Sequence, residues 1–178
     1  MTKQIAVVTG ASAGIGKEFA RLMTAEPVDE VWAIARSHDK LSQLRNELGE
    51  KIVPISLDLT DPDKVRSIGS LLEREQPQVA YLVNNAGMAR MGSYEQIGVD
   101  ELEKTVSINC SAFIVLCTLC IPFMSRGSRI LNISSASSFQ PLPYLNVYAA
   151  TKVFELYYSR ALNVELSPTG ITATAVCR

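Results

Sequence analysis

A serine, a tyrosine and a lysine in the second half of the chain have the types and spacing that proton transfer requires. Tyr148 and Lys152 are four positions apart, and Ser135 precedes the tyrosine by 13 positions. On a helix, residues i and i+4 share one face, so the phenol and the ammonium can meet the same ligand. A phenol has a pKa of about 10, so proton transfer at neutral pH requires its anion to be stabilised by roughly 4 kcal/mol. A neighbouring ammonium can supply stabilisation of this size. The alternative is an amphipathic helix with a solvated lysine.

A glycine-rich segment near the N-terminus is the second candidate for chemistry, because it lies between an apolar strand and an amphipathic helix. Its residues of interest are Thr9, Gly10, Ser12, Gly14, Ile15 and Gly16. Glycines permit a tight turn and a close approach of phosphate, and the N-terminus of the following helix attracts anions. A plain glycine-rich turn is the alternative, but the position between strand and helix favours a dinucleotide phosphate site.

The residues after the second predicted strand bear on the choice of nucleotide. NAD-binding enzymes usually present a carboxylate to the ribose 2′-hydroxyl at this point. This chain has Arg36 and Ser37 instead. A guanidinium with a neighbouring hydroxyl suits a 2′-phosphate by charge and by hydrogen bonding. We therefore expect NADP(H) to be preferred over NAD(H), with a solvated surface arginine as the alternative.

Polar or small residues also follow the third and fourth predicted strands. Asp58 follows the third strand, and the segment Asn84, Asn85, Ala86 and Gly87 follows the fourth. Amides and small residues let the backbone approach a ribose closely while satisfying their own hydrogen bonds. Asp58 could equally be a turn former. The segment from Asn84 to Gly87 is more telling, with a turn as its alternative.

The elements that must position these residues are short, mostly β-branched strands that alternate with amphipathic helices. Strands are expected at 5–9, 31–35, 52–57, 79–83, 129–133 and 171–176, and long helices at 100–124 and 147–166. This alternation predicts a Rossmann-type, doubly wound α/β fold, with a parallel sheet in the order 3-2-1-4-5-6 and helices on both faces. Pro54 places the third strand at an edge of the sheet. Residues 1–178 are expected to form a single dinucleotide-binding and catalytic domain.

Composition and charge narrow the class of protein. The 178 residues are 47% hydrophobic with a net charge of −1, which is typical of a folded globular domain and offers no basic surface for nucleic acid. The N-terminus has no leader pattern, and the most apolar stretch, 113–124, is too short to cross a bilayer, so no membrane partner is expected. The four cysteines, at 110, 117, 120 and 177, are compatible with a reducing cytoplasm. Cys117 and Cys120 are interpreted as small buried hydrophobes, and no metal site is expected.

Together these motifs resemble the classical short-chain dehydrogenase/reductase family over the whole chain. The resemblance implies that Ser135 polarises a substrate carbonyl, Tyr148 acts as general acid or base, and Lys152 binds the nicotinamide ribose and favours the tyrosine phenolate. It also implies a supporting role for Asn109 in a proton relay; an inward amide that holds a water leading to Lys152 would explain a polar residue in an apolar helix. By the same resemblance, Ser12 and Ile15 lie against the phosphates, Arg36 and Ser37 against a 2′-phosphate, and Asp58 beside the adenine.

The resemblance also implies a substrate-covering segment and a seventh strand after the sixth, whereas this sequence stops at Arg178. We therefore expect either a truncated piece of a longer protein, which we favour, or a reduced relative. The first functional hypothesis is an NADP(H)-dependent oxidoreductase of carbonyl or alcohol compounds that forms a homo-oligomer through helices 100–124 and 147–166. The alternative is a non-enzymatic NADP(H)-binding sensor or scaffold. The substrate itself is left open.

Overall fold

The computed structural model describes residues 2–178, which form one six-stranded sheet flanked by helices. The strands are β1 (Gln4–Thr9), β2 (Glu30–Ala35), β3 (Ile52–Ser56), β4 (Gln78–Asn84), β5 (Arg129–Ser134) and β6 (Thr172–Cys177). Every neighbouring pair is parallel, and the order is β3-β2-β1-β4-β5-β6. The predicted fold class and strand order are confirmed, and the predicted strand ends differ by one residue.

Two of the six α-helices begin at a side-chain cap, and one of these two ends at a glycine. Their bounds are α1 (Gly14–Ala25), α2 (His38–Leu48), α3 (Pro62–Glu75), α4 (Val99–Val106), α5 (Phe113–Cys120) and α6 (Asn146–Leu166). The Ser37 side chain accepts a hydrogen bond from the first turn of α2, and Asp61 caps α3 in the same way. Gly49 ends α2 at a φ of 93°, a conformation that glycine adopts without strain.

Two apolar clusters cover the two faces of the sheet. One cluster includes Trp32, Leu82 and Leu116, and the other includes Ala33 and Leu44. Because successive residues of a strand point to opposite faces, Trp32 and Ala33 of β2 lie in different clusters. Pro54 lies in β3 at one edge of the sheet, as its missing N–H group predicted.

The predicted long helix is present but contains a wider turn. It runs over Val99–Phe123 as α4, a π-helical turn at Ser107–Ala112, α5 and a final 3₁₀ turn. Its 25 residues are long and apolar enough to cross a membrane, so the expectation of a stretch too short to do so does not hold for the whole helix. A core helix of a soluble protein, which is mostly buried, meets the same criteria of length and composition; in this helix, 33% of the most apolar window is buried within the fold.

Candidate active site

The glycine-rich segment forms a tight turn at the carboxyl end of β1. Gly10 and Gly14 have positive φ angles of 66° and 54°. A Cβ atom on Gly16 would lie 2.2 Å from the carbonyl oxygen of Gly10, so this helix start tolerates only glycine. The N-cap residue of α1, Ala13, makes no side-chain cap, which leaves the first-turn N–H groups without a side-chain partner. A turn of this kind presents backbone donors and the positive end of the helix dipole to an anion.

A threonine and an asparagine join this turn to the end of β4. Thr9 Oγ1 accepts hydrogen bonds from the backbone N–H groups of Asn85 and Ala86, both at 2.9 Å, and donates to the Val83 carbonyl. The Asn85 side chain donates in return to the Thr9 carbonyl at 3.1 Å. These bonds cross-link the two central strands where the strand order reverses, which is the position for ligands in sheets of this kind.

The first of two clefts at this rim has a volume of about 370 Å³. Among the residues that line it are Gly10, Ser12, Arg36, Ser37, Lys40, Asn85, Ala86 and Gly87. Lys40 was missed from the sequence, although it follows Arg36 by four positions at the start of α2. The exposed side chains of Arg36 and Lys40 give this end of the cleft two cationic groups. The Ser37 hydroxyl lies beside them while it caps α2, where it accepts from the N–H group of Lys40 at 3.4 Å.

Asp58 lies beside this cleft, but its neighbours Leu57 and Leu59 form the lining. One carboxylate oxygen of Asp58 accepts hydrogen bonds from the backbone N–H and the hydroxyl of Thr60, both at 2.9 Å. These bonds, aided by the positive charge of Arg36, lower the pKa of the Asp58 carboxyl. The structure therefore shows a turn-forming role for Asp58, and its predicted contact with adenine stays a prediction.

The second cleft, of about 350 Å³, brings together the residues that the sequence singled out for proton transfer. Ser135, Tyr148 and Lys152 line it, together with Ile15 from the first turn of α1. Asn85 and Gly87 line both clefts, so the two clefts adjoin at the rim of the sheet. The ammonium of Lys152 lies 5.5 Å from the centroid of the Tyr148 ring.

Two consecutive serines at the end of β5, Ser134 and Ser135, make different hydrogen bonds. Ser135 Oγ accepts a hydrogen bond from the N–H group of Ser137 at 3.2 Å, which leaves its own proton for a ligand. Ser134 is buried, and its hydroxyl donates to the backbone carbonyl of Lys152 at 2.8 Å. Ser134 therefore fixes α6 against β5 at the turn that carries the tyrosine and the lysine.

Lys152 has a buried partner that sequence reasoning missed. Its Nζ atom lies 2.9 Å from both carboxylate oxygens of Glu155 and donates a further hydrogen bond to the Ile133 carbonyl at 2.9 Å. Burial raises the pKa of the Glu155 carboxyl to about 7, against the opposing effect of the Lys152 charge. The i, i+3 spacing of the pair was visible in the sequence, but its burial was not.

Asn109 is fully buried in the π-helical turn and contacts protein groups on every side. Its amide donates to the Met88 carbonyl and to Thr151 Oγ1, and its oxygen accepts from the Met88 N–H group at 2.8 Å. The amide thus ties the segment after β4 to α6, one residue before Lys152. The structure shows this bracing role, and the water-mediated relay inferred from the resemblance stays a prediction.

The cysteines behave as apolar side chains. Cys117 and Cys120 are fully buried, and all four cysteines are free thiols. Burial raises the pKa of Cys117 to about 12 and that of Cys120 further, so neither forms a thiolate at neutral pH. Their interpretation as small buried hydrophobes is confirmed.

The sequence of this chain matches a family model over residues 4–178, and that family is described as short chain dehydrogenase. The chain belongs to the short-chain dehydrogenase family. The resemblance inferred from the motifs is therefore confirmed, and the order of the sheet agrees with it.

This short-chain dehydrogenase is similar to two curated proteins and to one solved structure, among others. It is 34% identical to the bovine (Bos taurus) very-long-chain 3-oxoacyl-CoA reductase, over 96% of this chain and 57% of that protein. It is 31% identical to the NADP-dependent 3-hydroxy acid dehydrogenase YdfG of Salmonella typhi, over 97% of this chain and 70% of the relative. A short-chain dehydrogenase from Sphingobium yanoikuyae, solved in complex with NADPH, superposes with a TM-score of 0.86 at 32% identity, over 98% and 70% of the two chains. The chain thus spans little more than half of the bovine relative.

Proposed function

We propose that this short-chain dehydrogenase is an NADP(H)-dependent oxidoreductase that interconverts a carbonyl and an alcohol, and that residues 1–178 are its dinucleotide-binding and catalytic domain. The observation that carries the proposal is the convergence of Ser135, Tyr148 and Lys152 on one cleft that continues from the glycine-rich turn. The site can hold both a nucleotide and a group that exchanges a proton. The names of the relatives support the same reaction class.

The residues present fit a dinucleotide along the two clefts. The phosphates would lie at the turn formed by Gly10 and Gly14, because the backbone there leaves N–H groups free and a Cβ on Gly14 would meet only open space. Arg36 and Lys40 at the far end of the first cleft suit a 2′-phosphate, which supports NADP(H) over NAD(H). One relative is named NADP-dependent, and the structural neighbour binds NADPH.

The chemistry at the other end divides between the cofactor and the protein. NADPH supplies a hydride when it is bound. The hydroxyl of Ser135 donates to the substrate oxygen and stabilises the negative charge that develops on it, and the phenol of Tyr148 delivers the proton. The charge of Lys152 favours the phenolate that remains, and the close packing of Asn109 and Thr151 holds the helix that carries both groups in register.

The sensor or scaffold alternative is not favoured. The relatives are named as reductases or dehydrogenases, and the serine, tyrosine and lysine of a proton-transfer site are all in place here. A module that only bound nucleotide would not need them.

Homo-oligomerisation and a cytoplasmic location belong to the same proposal. The exposed faces of α4 and α6 carry Val106, Phe154, Tyr157 and Val164, of which Tyr157 is 65% and Val164 72% exposed. Apolar faces of this kind favour contact with a second copy of the chain. The four free thiols support a reducing compartment.

The activity is tested with purified protein, NADPH or NADH, and carbonyl compounds that begin with 3-oxoacyl thioesters and 3-oxo acids, the classes suggested by the relatives' names. We expect NADPH oxidation that Tyr148→Phe lowers at least about 100-fold, since general acid catalysis contributes about that much. Tyr157→Phe, an exposed tyrosine on the same helix, is the matched control. Turnover that survives Tyr148→Phe unchanged would refute the assignment of the proton donor.

A further inference from the structure

The ion pair between Lys152 and Glu155 is unusual because both charges are inside the protein. The two side chains are 5% and 3% exposed, and the ammonium lies 2.9 Å from each carboxylate oxygen. Removing two charges from water is costly, and a buried pair is weak evidence for a purely stabilising role. One member of the pair, Lys152, lines the second cleft, which indicates a role in the candidate site.

The hydrogen bonds of this lysine leave it nothing to offer a ligand. A lysine ammonium has three N–H donors. In the structure, the two oxygens of Glu155 and the carbonyl of Ile133 accept them, all at 2.9 Å. Yet Lys152 lines the second cleft, and a Cβ placed on Gly87 in the lining would come within 3.5 Å of its Nζ atom. The ammonium is beside the ligand space but is turned away from it.

Glu155 is held in this position by its own helix and by two strands. Ser159 Oγ donates to the backbone carbonyl of Glu155 at 2.6 Å and accepts from the Asn132 side chain of β5. Asn84 of β4 donates in turn to Asn132 at 3.0 Å. These buried, uncharged groups fix the backbone of α6. The ion pair can therefore open only by a movement of the two side chains.

We propose that Glu155 is a positioning residue that competes with the cofactor for the ammonium of Lys152, so that filling the nicotinamide end of the cleft requires this ion pair to open. The proposal rests on the proposed function, because the lysine is the group that would hold the nicotinamide ribose. A carboxylate at this place also offsets the charge that favours the phenolate of Tyr148. Glu155 thereby sets both the affinity for the cofactor and the readiness of the proton donor.

The competition depends on pH because the carboxyl group titrates near neutrality. Burial raises the pKa of Glu155 to about 7. Below that pH the neutral acid gives up the ammonium readily, and above it the carboxylate retains the ammonium. The other titratable groups around the pair are the Cys110 thiol of the π-helical turn, whose pKa burial raises to about 11, Tyr148 on α6, and Arg178 across the cleft. The thiol stays neutral in this range because its pKa is raised, and the groups that β5 presents, Asn132 and the Ile133 carbonyl, do not titrate.

The test compares Glu155→Gln with Glu165→Gln, which removes the same charge from an exposed position on the same helix. Calorimetry measures the Kd of NADPH and of adenosine 2′,5′-bisphosphate, which lacks the whole nicotinamide mononucleotide half, at about pH 6 and about pH 8.5. We expect Glu155→Gln to bind NADPH about tenfold more tightly than the control at the higher pH, the value of one hydrogen bond to a charged group, with little difference at the lower pH. Binding of the bisphosphate should be equal in both variants.

Equal NADPH affinities at high pH, a weaker affinity in Glu155→Gln, or a parallel change for both ligands would overturn the proposal. Glu155→Asp keeps the charge with a shorter reach, and it is expected to give an intermediate affinity if Glu155→Gln does not fold. If no variant binds NADPH, the proposed function fails, and this inference is then decided by ultraviolet titration of the phenol, with the Tyr148→Phe form of each variant subtracted. The titration midpoint of the phenol should be lower in Glu155→Gln than in Glu165→Gln, because a neighbouring negative charge is removed, and an equal or higher midpoint rejects the competition.

Discussion

The pH dependence of stability should carry the signature of a single carboxyl group, Glu155. Burial raises the pKa of this group from 4.5 in the unfolded chain to about 7 in the folded protein. Between these values the folded state holds a proton that the unfolded state has lost, so the free energy of unfolding decreases as the pH rises. The contribution is complete below about pH 4.5 and is lost once the pH has passed about 7. This increase in the pKa of Glu155 corresponds to about 3 kcal/mol in the free energy of unfolding.

Urea unfolding followed by circular dichroism at a series of pH values measures this loss. The wild-type protein should lose about 3 kcal/mol more than Glu155→Gln between about pH 4.5 and about pH 7.5, because glutamine cannot titrate. Glu165→Gln, which removes an exposed carboxyl group and leaves Glu155 in place, should follow the wild-type curve. If Glu155→Gln also follows that curve, then the buried carboxyl does not titrate in this range, and the electrostatic description of the pair is wrong.

Three further changes probe the other parts of the site. Thr9→Val leaves two backbone N–H groups without their acceptor. It should lower the free energy of unfolding, measured by urea denaturation, by about 2 kcal/mol or more, and an unchanged value would show that those donors find other partners. Arg36→Ala and Lys40→Ala should each weaken NADPH binding roughly tenfold and leave NADH binding nearly unchanged, as measured by calorimetry, and equal losses for both nucleotides would contradict a 2′-phosphate site. Tyr157→Lys adds a charge to the exposed face of α6 and should convert the oligomer to monomer in light scattering, whereas a wild-type chain that is already monomeric would rule out the proposed interface.

The fold could be predicted from the sequence because its signals are local and repeated. Each strand is a short apolar run, and the caps at Ser37 and Asp61 mark where the following helices begin. Pro54 indicated an edge strand without any knowledge of its neighbours. The π-helical turn around Asn109 left no such signal, because its residues are compatible with an ordinary α-helix and only the packing reveals the wider turn.

The candidate site was predictable as a set of residues but not as a set of contacts. The carboxyl ends of parallel strands meet at one rim, which is sufficient to bring Ser135 and Tyr148 together. The partners of these residues depend on burial, and burial is decided by distant parts of the chain. A glutamate in a helix is usually exposed to solvent, and only the packing of α6 on β5 buries Glu155 beside Lys152.

The two outer strands of the sheet are chemically unequal, and this difference bears on which of them can accept a further strand. Pro54 interrupts the row of backbone donors on β3, which discourages another strand from adding there. β6, from Thr172 to Cys177, forms the opposite edge of residues 2–178 and contains neither proline nor a charged side chain. Its β-branched sequence and unpaired backbone make it a template for strand addition. A further strand, whether from the same chain or from another, would therefore add at β6 rather than at β3.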